Sequence, residues 1–354
     1  MATYYWAPAA GSSTGTWDAT NAVNWAATSG GVPTGLLFPL VTDNVVFDAN
    51  SVNGGSFTVT HSTGATCANF DASGVDQAMT LTGTTTWTVT GNLTTPATNF
   101  TKLGTGTLTF SGSAAKAINT NGVSYACSVT FNAASSSMTL GGNLVIATGR
   151  TISFTNGTLN LAGYNVTCGT FTSSGSAART LTLSTGTVTC NDASTSWALG
   201  GATNLTLSAA SSTILMASAS AKTFAGNGYT YGVVKSAGAG AMTISGNNTF
   251  GELGNTVQPT TIRLTAGSTQ TVTTFSASGT SGNVVTLDSS SAGTAATLSK
   301  ASGTVNASYM SIKDSAATGG ATWNALNSTD VSGNSGWVFT TPPAVAGGNF
   351  LMVF

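Results

Sequence analysis

Met79-Thr80-Leu81-Thr82 and, after four intervening residues, Trp87-Thr88-Val89-Thr90 each alternate a large apolar side chain with a threonine. In an extended chain successive side chains point to opposite faces. Each run therefore puts its apolar groups on one face and its hydroxyls on the other. The pattern returns at Phe57-Thr58-Val59-Thr60, Leu108-Thr109-Phe110 and Leu181-Thr182-Leu183. Threonine suits such an outward face, because it favours strands and tolerates water. Gly, Asn and Ser separate the runs, and helical periodicity is nearly absent, so the expected class is all-β with short strands.

Working outward, the strands echo one another. A Gly/Thr-Asn-Leu turn recurs at Gly91-Asn92-Leu93, Gly142-Asn143-Leu144 and Thr203-Asn204-Leu205, and a Cys-then-Phe pair at Cys67/Phe70, Cys127/Phe131 and Cys168/Phe171. Degenerate repeats of this kind predict a right-handed parallel β-helix, a β-solenoid whose coils bury their apolar faces against their neighbours. At ~20 residues per coil, 53–255 supplies about ten coils. Stacked at ~4.8 Å, these make a rod roughly 50 Å long. A pair of β-sandwiches is the rival architecture, since its turns fall at similar intervals.

The expected divisions are 1–52, a Trp-rich N-terminal cap or attachment segment; 53–255, solenoid coils; 256–340, C-terminal coils and a closing motif; and 341–354, an extended tail. Trp6, Trp17 and Trp25 give the cap its aromatic weight and would close the open end of the first coil. The tail runs from Thr341-Pro342-Pro343 to Phe350-Leu351-Met352-Val353-Phe354. An apolar terminus of that kind is read as a strand inserted into a neighbouring subunit or partner.

Composition limits function. The 354 residues include 9 Lys+Arg, 10 Asp+Glu and one His, with a net charge of -1 and only 5% charged residues. Soluble domains usually carry ~25% charged residues. With 41% hydrophobic residues and near neutrality, the chain reads as folded rather than disordered. Phosphate recognition draws on clustered Lys and Arg. Here these residues are scattered, so no nucleic-acid partner is expected. Met1-Ala2-Thr3-Tyr4-Tyr5-Trp6 has neither a basic nor an apolar leader region, and no run approaches a membrane span.

Few residues could carry chemistry. Cys67, Cys127, Cys168 and Cys190 lack metal-ligand spacing, and the first three are read as inward-facing small hydrophobes that stack, a disulfide being the lesser option. His61 has no nucleophile motif around it and reads as a plain surface residue. Glycoside cleavage needs two convergent carboxylates. Glu252 and nine Asp are available, Asp71 with Asp76 and Asp314 with Asp330 being the pairs to consider. Asp43-Asn44 and Asp48-Ala49-Asn50 could offer oxygen ligands to calcium, but Asx turns explain them more simply. Tyr229 and Tyr231 share a face that is either a sugar platform or, the stronger reading, core. No catalytic, cofactor-binding or metal-ligating residue is assigned, and no cofactor is expected.

Two segments resemble known proteins. The opening, Tyr5-Trp6, Gly15-Thr16-Trp17-Asp18-Ala19-Thr20, Asn24-Trp25, Val32-Pro33-Thr34 and Phe47-Asp48-Ala49-Asn50-Ser51, resembles the N-terminus of a family of tailed-phage virion structural proteins. Gly35-Leu36-Leu37-Phe38-Pro39-Leu40-Val41 is an apolar insert in that pattern. The second segment, Gly319-Gly320-Ala321-Thr322-Trp323-Asn324-Ala325, Asn327-Ser328 and Gly333-Asn334-Ser335-Gly336-Trp337-Val338-Phe339, is similar to the closing coil of phage and bacterial-surface β-solenoids. The resemblance implies a non-enzymatic tail fibre, spike or capsid decoration, assembled in the host cytoplasm. Its implied partners are other virion proteins, two further copies in a homotrimer, and a host surface glycan. A bacterial adhesin and a polysaccharide-degrading tailspike are the alternatives.

Overall fold

The computed structural model describes residues 1–8, 12–18, 20, 22–35, 37–52, 54–200 and 204–340. The apolar tail at 341–354 and Leu36 of the apolar insert lie outside the described residues. What is described is all-β, with strands stacked in parallel as a β-solenoid of about thirteen turns. At ~4.8 Å per coil this makes a rod about 60 Å long.

Most coils contribute one strand to a 14-stranded sheet and one or two to a 21-stranded sheet that bends around the other side, and near the C-terminal end Thr304–Ser308, Thr322–Leu326 and Trp337–Thr340 form a third, three-stranded sheet. Leu108 lies opposite Val129, and Val129 opposite Ile152. Coils therefore take slightly more than the ~20 residues anticipated from repeat proteins in general. The pairing is parallel almost throughout; the strands Thr3–Trp6 and Trp25–Ala26 pair antiparallel at the N-terminal end.

Alternation sets the interior. Trp87, Leu108, Val129, Ile152, Phe171 and Trp197 stand in register as one inward column and are all buried. The outward neighbours, Thr88, Thr109, Thr130, Ser153 and Thr172, form a parallel column of hydroxyls. A one-residue slip would exchange the two columns, so the burial pattern fixes the register.

The cap is part of the stack. Thr14–Trp17 pairs in parallel with Phe57–His61, and Asn44–Asp48 with Phe70–Gly74. Trp6, Trp17, Trp25 and Phe47 pack edge-on or tilted at 5.1–6.0 Å and plug the first coils. At the other end Phe275, Trp323 and Trp337 form a second aromatic cluster. The strands Thr230–Ser236, Thr249–Asn255 and Thr269–Phe275 pair in sequence, so the stack runs through 255/256 unbroken.

Asparagines at the corners join coil to coil. Asn69 Oδ1 accepts the Asn92 N–H at 2.7 Å, and Asn92 Oδ1 accepts the Ala117 N–H at 2.8 Å. Asn143, Asn165 and Thr187 repeat the arrangement at 2.9 Å per step. Two of the three Asn-Leu turns seen in the sequence thus supply ladder residues. At the third, Asn204 Nδ2 donates to the Ser176 carbonyl.

Candidate functional site

A groove of about 690 Å³ runs along the outside of the bent sheet. It arises where the strands Val129–Leu140 and Thr151–Asn160 run round a corner without a break. Their register shifts between Phe131 and Ser137, bulging the chain outward. Gly157 makes that bulge possible: its φ is +84°, and a Cβ there would lie 2.1 Å from the Ala133 carbonyl oxygen.

Along the groove Ser137, Thr158, Thr180 and Thr206 stand in register over four coils, with Asn156 beside them. Arg179 forms part of the wall but is buried. Its guanidinium donates inward to the Ala177 carbonyl, Ser173 Oγ and the Gly175 carbonyl at 2.9–3.2 Å. The groove therefore offers hydroxyls and amides without a solvent-facing charge. Such a lining can accept and donate hydrogen bonds to an uncharged polyol.

A second groove, about 340 Å³, crosses Asn44, Asn69 and Asn92. There Asn69 Nδ2 donates to Asn44 Oδ1 at 2.7 Å, and Asn69 and Asn92 both serve the ladder. Its amides are occupied with holding coils together.

The acids weighed for glycoside cleavage are, Asp76 apart, held in local structure. Asp71 Oδ1 accepts the Ser73 N–H and hydroxyl at 2.9 and 2.6 Å, while Asp76 is exposed on a turn. Asp314 is buried and accepts the Gly293 N–H at 3.0 Å; Asp330 accepts from Asn334 Nδ2 at 2.7 Å. Glu252 pairs with Lys235 at 2.8 Å and accepts from Ser276 Oγ. These two hydrogen bonds, the Lys235 bond first, hold its carboxyl below the usual range. Asp43 takes the Ala2 and Leu40 N–H groups, and Asp48 the Asn50 N–H. Among the described residues no three His, Cys, Asp or Glu side chains group as a metal site.

His61 corrects its surface reading. It is 1% exposed, faces the interior, and lies over Trp87 with ring centroids 5.9 Å apart. Period 2 explains this: Phe57, Val59 and His61 share the inward face of one strand. Gly83 and Gly106 leave room for the ring, since a Cβ at either would come within 2.8 Å of it. Neither ring nitrogen has a hydrogen-bond partner, and burial, then the charge of Lys102, pushes its pKa down to about 3.

The cysteines are free and buried. They do not form one stack: Cys67 lies opposite Val89, and Cys168 lies opposite Cys190, the residue left out of the Cys–Phe repeat. Tyr231 is core, its hydroxyl donating to the Gly226 carbonyl at 2.7 Å; Tyr229 is half-buried and donates to the Leu205 carbonyl.

One repeat escaped the sequence reading. Ser111-Gly112-Ser113-Ala114-Ala115-Lys116, Ser174-Gly175-Ser176-Ala177-Ala178-Arg179 and Ser218-Ala219-Ser220-Ala221-Lys222 are the same loop ending in a cation. Each cation turns inward and is wrapped by oxygens of its own or neighbouring loops. Lys116 Nζ donates to the Gly112 and Ala114 carbonyls and Ser136 Oγ; Lys222 Nζ donates to the Ser218, Gly238 and Gly240 carbonyls. A small-residue loop before an isolated Lys or Arg at coil intervals was the signal.

Comparison with known proteins finds no matching family model, no curated relative and no solved structure.

Proposed function

We propose that this chain is a non-enzymatic structural and adhesive protein on the exterior of a tailed phage particle, as tail fibre, spike or capsid decoration. The observation that carries the non-enzymatic part is the condition of the acids. Nearly all are engaged by turn N–H groups, hydroxyls or a cation, and the main groove presents hydroxyls and amides. The virion part rests on the resemblance of the two ends, whose residues build the aromatic plugs described above. A rod of short coils with little surface charge suits a component packed as a homotrimer among other virion proteins. The Ser137–Thr206 groove is its adhesive surface, taking an uncharged host glycan.

Gradient-purified particles should contain the chain, and antibody to it should bind the intact particles. Particles without the chain would refute the virion assignment. Native mass measurement should give a trimer. Purified protein mixed with host surface polysaccharide should bind it without creating reducing ends; new reducing ends would establish the degrading alternative instead.

A further inference from the structure

Cys168 and Cys190 close two consecutive strands of the 14-stranded sheet, Val166–Cys168 and Thr187–Cys190, and face each other in register. Directly paired residues of neighbouring parallel strands stand ~4.8 Å apart. That lies inside the Cα–Cα range of disulfides, which is ~4.4–6.8 Å. Both side chains point inward and are fully buried, so their sulfurs share one confined space. Cys67 and Cys127 have no such neighbour: Cys67 faces Val89, and Cys127 stands alone ahead of the strand Val129–Leu140.

We propose that Cys168 and Cys190 are an oxidation site, a dithiol that closes to a disulfide stitching one coil to the next when the chain folds in the presence of a disulfide oxidant such as oxidised glutathione. The Cys190 thiolate attacks the oxidant and releases one glutathione thiolate, giving a mixed disulfide. The Cys168 thiolate then displaces the second glutathione. Two S–H bonds are lost, one S–S bond forms, and the two electrons reduce the oxidant to two thiols.

The location at a corner favours the reaction. Both cysteines end their strands, and just beyond them their two coils are tied together by the Asn191 N–H to Cys168 carbonyl bond at 2.9 Å and the Asp192 N–H to Gly169 carbonyl bond at 3.0 Å. Once closed, the site is protected. A hydrogen bond that the Cys168 S–H donates to Cys190, then burial, holds the Cys168 thiol protonated well above its ordinary range. The finished fold therefore resists oxidation, and the chemistry belongs to the folding chain. The bond would join residues of adjacent coils whose pairing already exists, so it links strands that are already neighbours.

The test is cell-free synthesis of the full chain, and of a Cys67→Ser/Cys127→Ser variant, with and without oxidised glutathione. The protease-resistant fraction is then recovered. In the variant made with oxidant, that fraction should be two hydrogens lighter and give a linked Cys168–Cys190 peptide. Its unfolding midpoint should rise by about 5 °C over the reduced form. In the full chain the same linked peptide should dominate, and Cys190→Ser should abolish both changes. Free thiols throughout the folded fraction, oxidation confined to unfolded material, or pairing through Cys67 or Cys127 would each overturn the proposal.

Discussion

Trp197 lies on Phe171 of the preceding coil with ring centroids 4.9 Å apart and planes 19° from parallel. Phe224 of the following coil covers its other face at 6.0 Å and 6°. Three coils thus share one aromatic stack, and its middle member has no solvent face to relax into. Trp197→Ala should cost about 3–5 kcal/mol, the range for emptying a large buried aromatic site. Trp197→Phe should cost distinctly less, since it preserves the stack. Denaturant unfolding of the two variants measures the difference.

The wrapped cations give a second expectation. Replacing Lys222 by Met leaves the Ser218, Gly238 and Gly240 carbonyls without their donor. An unsatisfied buried acceptor costs about 1–3 kcal/mol, partly offset by no longer burying a charge, so the net loss should be about 2–3 kcal/mol. Lys235→Met breaks only the half-exposed pair with Glu252 and should cost no more than about 1 kcal/mol. Equal losses in the two variants, compared by equilibrium unfolding, would contradict the wrapping account.

Acid should act through His61. In the fold its pKa lies near 3, first because it is buried and then because Lys102 is close, against the usual 6.5. The unfolded chain therefore binds the proton more readily between those values. Stability should be constant above about pH 6.5 and fall by about 1.4 kcal/mol per pH unit from there toward pH 3. His61→Leu should flatten that limb. A wild-type profile flat from pH 7 to 4 would show that the ring is solvated.

The corner ladder should contribute modestly and locally. Asn165→Ala takes the acceptor from the Thr187 N–H, a bond of 2.9 Å near the surface. The loss should be about 0.5–1.5 kcal/mol. Hydrogen exchange should quicken at the Thr187 amide and leave amides several coils away unchanged.

These residues show what the sequence could reveal. Alternation at Met79–Thr82 and Trp87–Thr90 announced both the class and the inward columns, because strand period fixes which side chains are buried. The Trp-rich opening was legible as a plug for the same reason: three indoles near an end need one another. His61 departs from its expected surface place because its parity with Phe57 and Val59, not its polarity, decides which way it faces. The Cys168–Cys190 contact could not be read, because coil length varies and one residue of variation moves the register. The inward turn of Lys116, Arg179 and Lys222 is not legible in their scattered positions, since the loop repeat preceding them is made of small residues with little signal individually. The groove depends on a register shift between Phe131 and Ser137, which local pattern does not encode.

The place proposed for this solenoid is the outside of a virus particle. Immunogold labelling of purified, intact particles with antibody to the folded protein tests it directly. Gold on the particle exterior, on head or tail, is the predicted result. Unlabelled particles, or gold confined to the bacterial envelope, would contradict it and favour the adhesin.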